Sequence, residues 1–269
     1  MMADMISMMT IWAQYMPEYS EYSSYYGGGM GGVGMYSGVT LIGFALLIIT
    51  GLIGWVVQNR MMASMKRFSA TPAPMTGAEV AQRMLAAYGI HDVRVTHTSG
   101  QLTDHFNPVN KTVNLSDSVY SEASVAAMAV AAHECGHAVQ HAQAYPWIKL
   151  RSEMVPLVNL GSRLGQIVLM VGLIMLGFGS GTTVAWIGLA LFATTTLFAL
   201  VTLPVEFDAS RRALAWLESS GLATRAMHGQ AGTALRWAAM TYVAAALSSI
   251  AMLVYYALII LSRTSGRRD

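Results

Sequence analysis

His133, Glu134 and His137 form an H-E-x-x-H pattern inside an alanine-rich, helix-forming run. Two histidines one helical turn apart project from one face and can grip one ion. Their imidazole nitrogens suit Zn²⁺ at about 2.0–2.1 Å. Glu134 sits beside that face, where it can take a proton from a water attacking an amide carbonyl and return one to the leaving amine. The plain alternative is a pair of surface or core histidines beside a helix-favouring glutamate.

A catalytic zinc usually has three protein ligands and one open position. His141 lies a further turn along, about 6 Å down the axis, too far to share the ion. Gln140 stands where an H-E-x-x-H-x-x-G-x-x-H pattern would have glycine. An acid from another element is the better donor, and Glu206 in the stretch L-P-V-E-F-D-A-S is the leading candidate, with Asp208 its rival. Flanking Gly136 lets a substrate or a second helix come close.

The elements that must position these groups include membrane spans. The chain has 269 residues, 54% hydrophobic and only 11% charged, against about 25% charged in ordinary soluble domains. Four apolar runs, at residues 39–57, 155–178, 183–205 and 238–261, reach or approach the roughly 20 residues that cross a bilayer as a helix. Backbone groups in lipid must pair internally, so the runs are predicted to be helices. Arg163 lies in the first half of the second run. Gly161 and Gly165 give it a small-residue packing face. Gly179 to Thr182 is a tight turn, so the second and third spans form a hairpin. What precedes one and follows the other then lies on one side of the membrane.

Residues 58–154 form the main segment outside the membrane and residues 206–237 a second one. The first carries Arg60, Lys66, Arg67, Arg83, Arg94, Lys111, Lys149 and Arg151; the second carries Arg211, Arg212, Arg225 and Arg236. The tail before residue 39 has Asp4, Glu18 and Glu21 but no Lys or Arg. Basic loops stay inside, which puts both segments in the cytoplasm and residues 1–38 outside. Residues 262–269, with Arg263, Arg267 and Arg268, would also lie outside, a local exception to the rule. The first 38 residues, rich in Met, Tyr and Gly, read as a flexible tail, with Trp12 and Tyr15 suited to headgroup level.

Within residues 58–154, Q-N-R-M-M-A-S-M-K-R-F-S-A-T-P-A-P reads as a linker at the membrane. Thr76 to Glu79 fits a capping box for a helix that Gly89 ends. Val93, Val95 and His97 would share a face of one strand. A turn-rich connection leads to a second strand over Thr112 to Leu115, whose edge could pair with an extended substrate. The H-E-x-x-H helix then runs from about Ser121 to before Pro146. One cysteine excludes an internal disulfide and a cysteine-rich zinc site. No basic patch interleaved with aromatics points to nucleic acid.

The pair A-V-A-A-H-E-C-G-H-A-V-Q and L-P-V-E-F-D-A-S-R-R-A-L resembles the YugP-type neutral zinc metallopeptidases of bacterial membranes. It is more distantly similar to the HtpX-like and CAAX-processing membrane endopeptidases. The resemblance runs from about the first span to the fourth. It implies a multi-pass α-helical membrane protein with a mainly helical zincin-like domain containing a small sheet. It further implies one Zn²⁺ per chain, held by His133, His137 and Glu206, with Glu134 as the general base. Glu206 and Ala209 match the distant relatives' E-x-x-A-D motif, but Ser210 stands where the Asp would support a ligating histidine. Asp104 and His105, in L-T-D-H-F-N-P, would lie behind the ligands or beside the substrate; by residue type alone, both could simply hold the turn. His228 is the remaining candidate to stabilise an oxyanion. The implied activity is peptide-bond hydrolysis in membrane-associated or misfolded proteins at the cytoplasmic face of a bacterial inner membrane. A homo-oligomer or an adaptor partner is compatible with the sequence. Two competing readings are an inactive membrane scaffold, which would not need Glu134, and a small transporter, which would want ionisable groups at mid-span where only Arg163 offers one.

Overall fold

The computed structural model describes residues 33–265. The expectations for residues 1–32 and 266–269 lie outside the described residues. Helices are α1 (Val33–Ser69), α2 (Gly77–Ala87), α3 (Asp117–Tyr120), α4 (Val125–Ala142), α5 (Pro146–Gly177), α6 (Thr182–Ser219) and α7 (Arg225–Ser265); strands are β1 (Arg94–Thr98), β2 (His105–Asn107) and β3 (Thr112–Ser116). Four described helices are long and apolar enough to cross a membrane: Gly38–Ser69, Pro146–Gly177, Thr182–Ser219 and Arg225–Thr264. With the small mixed sheet, this is a mainly helical architecture with four helices of membrane-spanning length.

The chain divides into two compact units. One comprises Met62–Ala144 and Asp208–Arg236. Its helix α2 begins with the expected capping box. The Thr76 hydroxyl accepts the Glu79 N–H at 3.3 Å, and the Glu79 carboxylate accepts the Thr76 N–H at 2.8 Å. Gly89 follows the helix at φ +69°, a conformation that glycine adopts without strain. Val80, Ala81, Met84 and Leu85 form the buried face of α2 against α4. A fully buried Met or Leu contributes about 1.5–3 kcal/mol.

The sheet order is β1-β3-β2, with β1 parallel and β2 antiparallel to β3. Here the structure corrects the sequence reading. β3 is flanked on both sides, with Val113 and Leu115 fully buried, so it cannot offer an edge to a substrate. The turn-rich connection contains β2, which holds an edge position instead. The helix at Asp117–Tyr120 is separate from α4, which starts at Val125. There the Ser124 hydroxyl caps it by accepting the Ala127 N–H at 3.2 Å.

The other unit gathers, among the described residues, 33–61, Tyr145–Phe207 and 237–265. Its hairpin α5–α6 is closed through glycine. A Cβ on Gly172 would lie 2.3 Å from the Ala185 nitrogen, and one on Gly188 would lie 2.3 Å from the Leu169 nitrogen. Gly161 and Gly165 likewise face Leu191, Phe192 and Thr194, which makes the small-residue spacing a real packing face. Leu169, Leu176, Ala185, Leu189 and Ile260 form a buried cluster at this contact.

Two long helices outrun the sequence reading. α1 continues through the stretch read as a linker, burying Met61, Met65 and Phe68 at one-turn spacing. α6 passes Glu206 without a break and ends only at Ser219, so Glu206, Asp208 and Ser210 share one rigid helix.

Candidate metal centre

Helix α4 carries the first two donors. Val125, Ala126, Ala127, Met128, Ala129, Ala131 and Ala132 are buried, and this packing fixes the helix before His133 begins the motif. The His133 and His137 rings meet edge to face, with centroids 4.8 Å apart. Helix α6 carries the third donor. Ligand atoms of His133, His137 and Glu206 all lie within 4.8 Å of one another. His137 and Glu206 are buried and His133 is half-buried.

Close approach of α4 and α6 depends on Gly136. A Cβ there would lie 2.6 Å from the Ala209 carbonyl oxygen and 3.1 Å from the Ala209 Cα, both backbone atoms. Replacing Gly136 with alanine is therefore expected to part the helices. A cost of about 1–3 kcal/mol is typical of overpacking. A lower thermal midpoint and a reduced zinc content of the detergent-solubilised protein would report it. An unchanged midpoint would show that the contact yields freely.

The donor set fits a zinc ion. Two imidazoles and one carboxylate, with room for a fourth position, are the ligands of many catalytic zinc sites. A carboxylate as buried as Glu206, 1% exposed, also needs positive charge nearby. Arg151 of α5 supplies part of it, with a guanidinium nitrogen 4.0 Å from Glu206 Oε1. The Arg151 guanidinium also lies 5.8 Å from the Phe198 ring centroid.

Each histidine has a polar neighbour at Nδ1. Ser210 Oγ is 3.1 Å from His133 Nδ1, so the serine hydroxyl contacts that imidazole on its Nδ1 side. Gln140 Oε1 is 3.1 Å from His137 Nδ1. Gln140 Nε2 donates to Asp208 Oδ2 at 2.9 Å. Asp208 also accepts from Arg212 Nε at 2.5 Å and from Arg211. The rival ligand is thus turned toward two arginines and an amide, not toward the three-donor cluster.

Glu134 is 7% exposed and lies outside that cluster. Its Oε2 accepts the Phe106 N–H of β2 at 3.0 Å. Asp104 lies behind it, accepting the Ser116 N–H at 2.7 Å and hydroxyl at 2.9 Å. Burial, with some repulsion from Glu134, raises the Asp104 pKa above the usual carboxylate range. Asp104 therefore holds the loop before β2. His105 Nδ1 pairs with the Thr103 carbonyl at 2.7 Å, a local contact. His141 faces Phe106, ring centroids 5.9 Å apart, and stays outside the donor cluster. His228 Nε2 is buried with no hydrogen-bond partner among the described residues, and no hydrogen bond links His228 to the motif. Cys135 packs against α2, its thiol donating to the Ala81 carbonyl at 3.5 Å. Burial, then the Glu134 charge, pushes its pKa well up, which excludes it as a thiolate nucleophile.

Reasoning from the sequence missed three participants: the Phe106 N–H, Arg151, and Gln140 as a partner of His137. Only Gln140 left a signal, since it follows His137 by three residues on the same helix.

Comparison with known proteins points to the same chemistry. The family described as "Putative neutral zinc metallopeptidase" matches residues 43–261. A Bacillus subtilis (strain 168) protein named "Putative membrane protease YugP" is 37% identical over 221 residues, covering 81% of this chain and 96% of the relative. No solved structure matches the chain. The chain belongs to this family of neutral zinc metallopeptidases and is a zinc-dependent membrane endopeptidase.

Proposed function

We propose that this endopeptidase cuts unfolded or membrane-anchored protein segments at the cytoplasmic face of a bacterial inner membrane, with Glu134 as its general base. The observation that carries the reading is the convergence of His133, His137 and Glu206 beside a glutamate that is not itself in the cluster. These three side chains would hold the ion. A bound zinc supplies Lewis-acid polarisation and makes water a usable nucleophile near neutral pH. Glu134 takes the proton of the attacking water and passes it to the departing amine. The Phe106 N–H holds the Glu134 carboxylate in place by its 3.0 Å hydrogen bond. Ser210 and Gln140 orient the two imidazoles from behind. An extended substrate backbone would lie along β2, the edge strand that already touches Glu134. The distant likeness to HtpX-like and CAAX-processing enzymes supports a substrate presented from the membrane.

The cytoplasmic side is favoured by the basic residues Arg83, Arg94, Lys111, Arg211, Arg212 and Arg225 in the two segments that flank the spans. Two single-span reporter proteins test side and substrate together, one with an unstructured segment in the cytoplasm and one with the same segment outside. Co-expression is expected to cleave only the first. Cleavage of the outer segment alone would reverse the topology, and cleavage of neither would remove this substrate class.

A further inference from the structure

We propose that Gln140 is a positioning residue that locks His137 in the tautomer a metal ion requires, and that Asp208 acts on the site only through Gln140. The proposal rests on the reading of His137 as a ligand. A glutamine amide can face either way by shape alone, so its orientation must be settled by donors and acceptors. Asp208 is 5% exposed and accepts from Arg211 and Arg212. A carboxylate between two guanidiniums is ionised and can only accept. The Gln140 atom 2.9 Å from Asp208 Oδ2 is therefore the amide nitrogen, and the atom facing His137 is the amide oxygen. An amide oxygen also only accepts. His137 Nδ1 must then carry the hydrogen, at 3.1 Å from that oxygen, which leaves the lone pair on Nε2.

The relay is closed to water, because Gln140 is 0% exposed and His137 is 3% exposed. It also has a single direction. Arg211, Arg212 and the Gln140 amide nitrogen all donate to Asp208, and His137 donates to the Gln140 oxygen. The other imidazole lacks such control. His133 Nδ1 faces the Ser210 hydroxyl, which can donate or accept and so permits either tautomer. The two ligands of one helix are held by different means, and the locked one is buried deeper. Arg212 ties the relay back to the end of α4, since its Nη1 donates to Gln143 Oε1 at 2.5 Å.

The test uses the full chain in detergent, stripped of metal, with zinc affinity measured by competition with a chromophoric chelator. Gln140→Met keeps bulk but removes both donor and acceptor, and is expected to weaken zinc binding by about 10–100-fold. Asp208→Asn keeps volume but lets the Gln140 amide turn, and is expected to weaken it less. The double variant is expected to bind no more weakly than Gln140→Met, because on this proposal the effect of Asp208 runs through the Gln140 amide that contacts His137. Zinc affinity of Gln140→Met within twofold of wild type, or penalties that add, would overturn the proposal. A second readout needs no metal. Nitrogen-15 spectra of labelled histidines in the metal-free wild type are expected to show His137 protonated at Nδ1. In Asp208→Asn they should show a mixture of tautomers. An Nε2-protonated His137 in the wild type would overturn the lock. Failure of the wild type to bind zinc, with the tautomer found as expected, would instead refute the metal reading alone.

Discussion

Glu134→Gln is expected to lower kcat/KM for peptide cleavage by about 10²–10⁴-fold while one zinc per chain is retained. That loss is about 2.7–5.5 kcal/mol of transition-state stabilisation. The split follows from where Glu134 sits. It is next to His133 in sequence but outside the three-donor cluster, so its loss removes no ligand. Its Oε2 accepts the Phe106 N–H, and a glutamine oxygen can keep that bond at the same 3.0 Å spacing. Size, burial and the β2 contact all survive. What disappears is the ability to carry a proton. Casein-type proteolysis in detergent, read beside zinc content by atomic absorption, separates the two effects. Equal cleavage by variant and wild type would remove Glu134 from the mechanism. A scaffold that merely kept the fold would show no cleavage in either protein.

The features legible in the sequence are those that depend on spacing along one element. His133 and His137 share a face because a helix repeats every 3.6 residues, and the alanine run guarantees the helix. The α5–α6 turn was legible through Gly179 and Gly181, which the fold uses at φ +86° and +82°. Gly136 was readable as a place for a second helix to come close, although not that Ala209 would fill it. Features made by contacts distant in sequence were not legible. β2 is only three residues long and ends at Asn107-Pro108, so its turn residues hid the strand. Without β2, β3 looked like an edge. Phe106 contributes through its backbone N–H, which no residue type advertises. Asp208 looked like a ligand because an acid near Glu206 suits zinc equally well by composition. Only the contacts from Gln140, Arg211 and Arg212 show that its charge is already committed. Arg151 meets Glu206 because α5 and α6 form a hairpin whose register is set by glycine contacts from Gly161 to Gly172.

Glu206→Ala is expected to abolish stable zinc binding, a loss greater than the roughly 100-fold that removing a supporting residue can cause. The same change should also destabilise the metal-free protein. Glu206 is 1% exposed and the Arg151 side chain 15% exposed, with their charged atoms 4.0 Å apart. Breaking a buried pair by deleting one partner costs about 3–5 kcal/mol, because the surviving charge loses its counter-charge. Partial exposure of Arg151 and the long separation place this pair toward the low end. The two losses have different causes, and a second substitution divides them. In Arg151→Met with Glu206→Ala no buried charge is stranded, so the thermal midpoint should recover toward wild type. Zinc binding should not recover, because the third donor is still missing. Chelator competition and thermal melts of the four proteins measure both quantities. If Glu206→Ala bound zinc as tightly as wild type, the third ligand would lie elsewhere, and Asp208 would have to release its arginines to provide it.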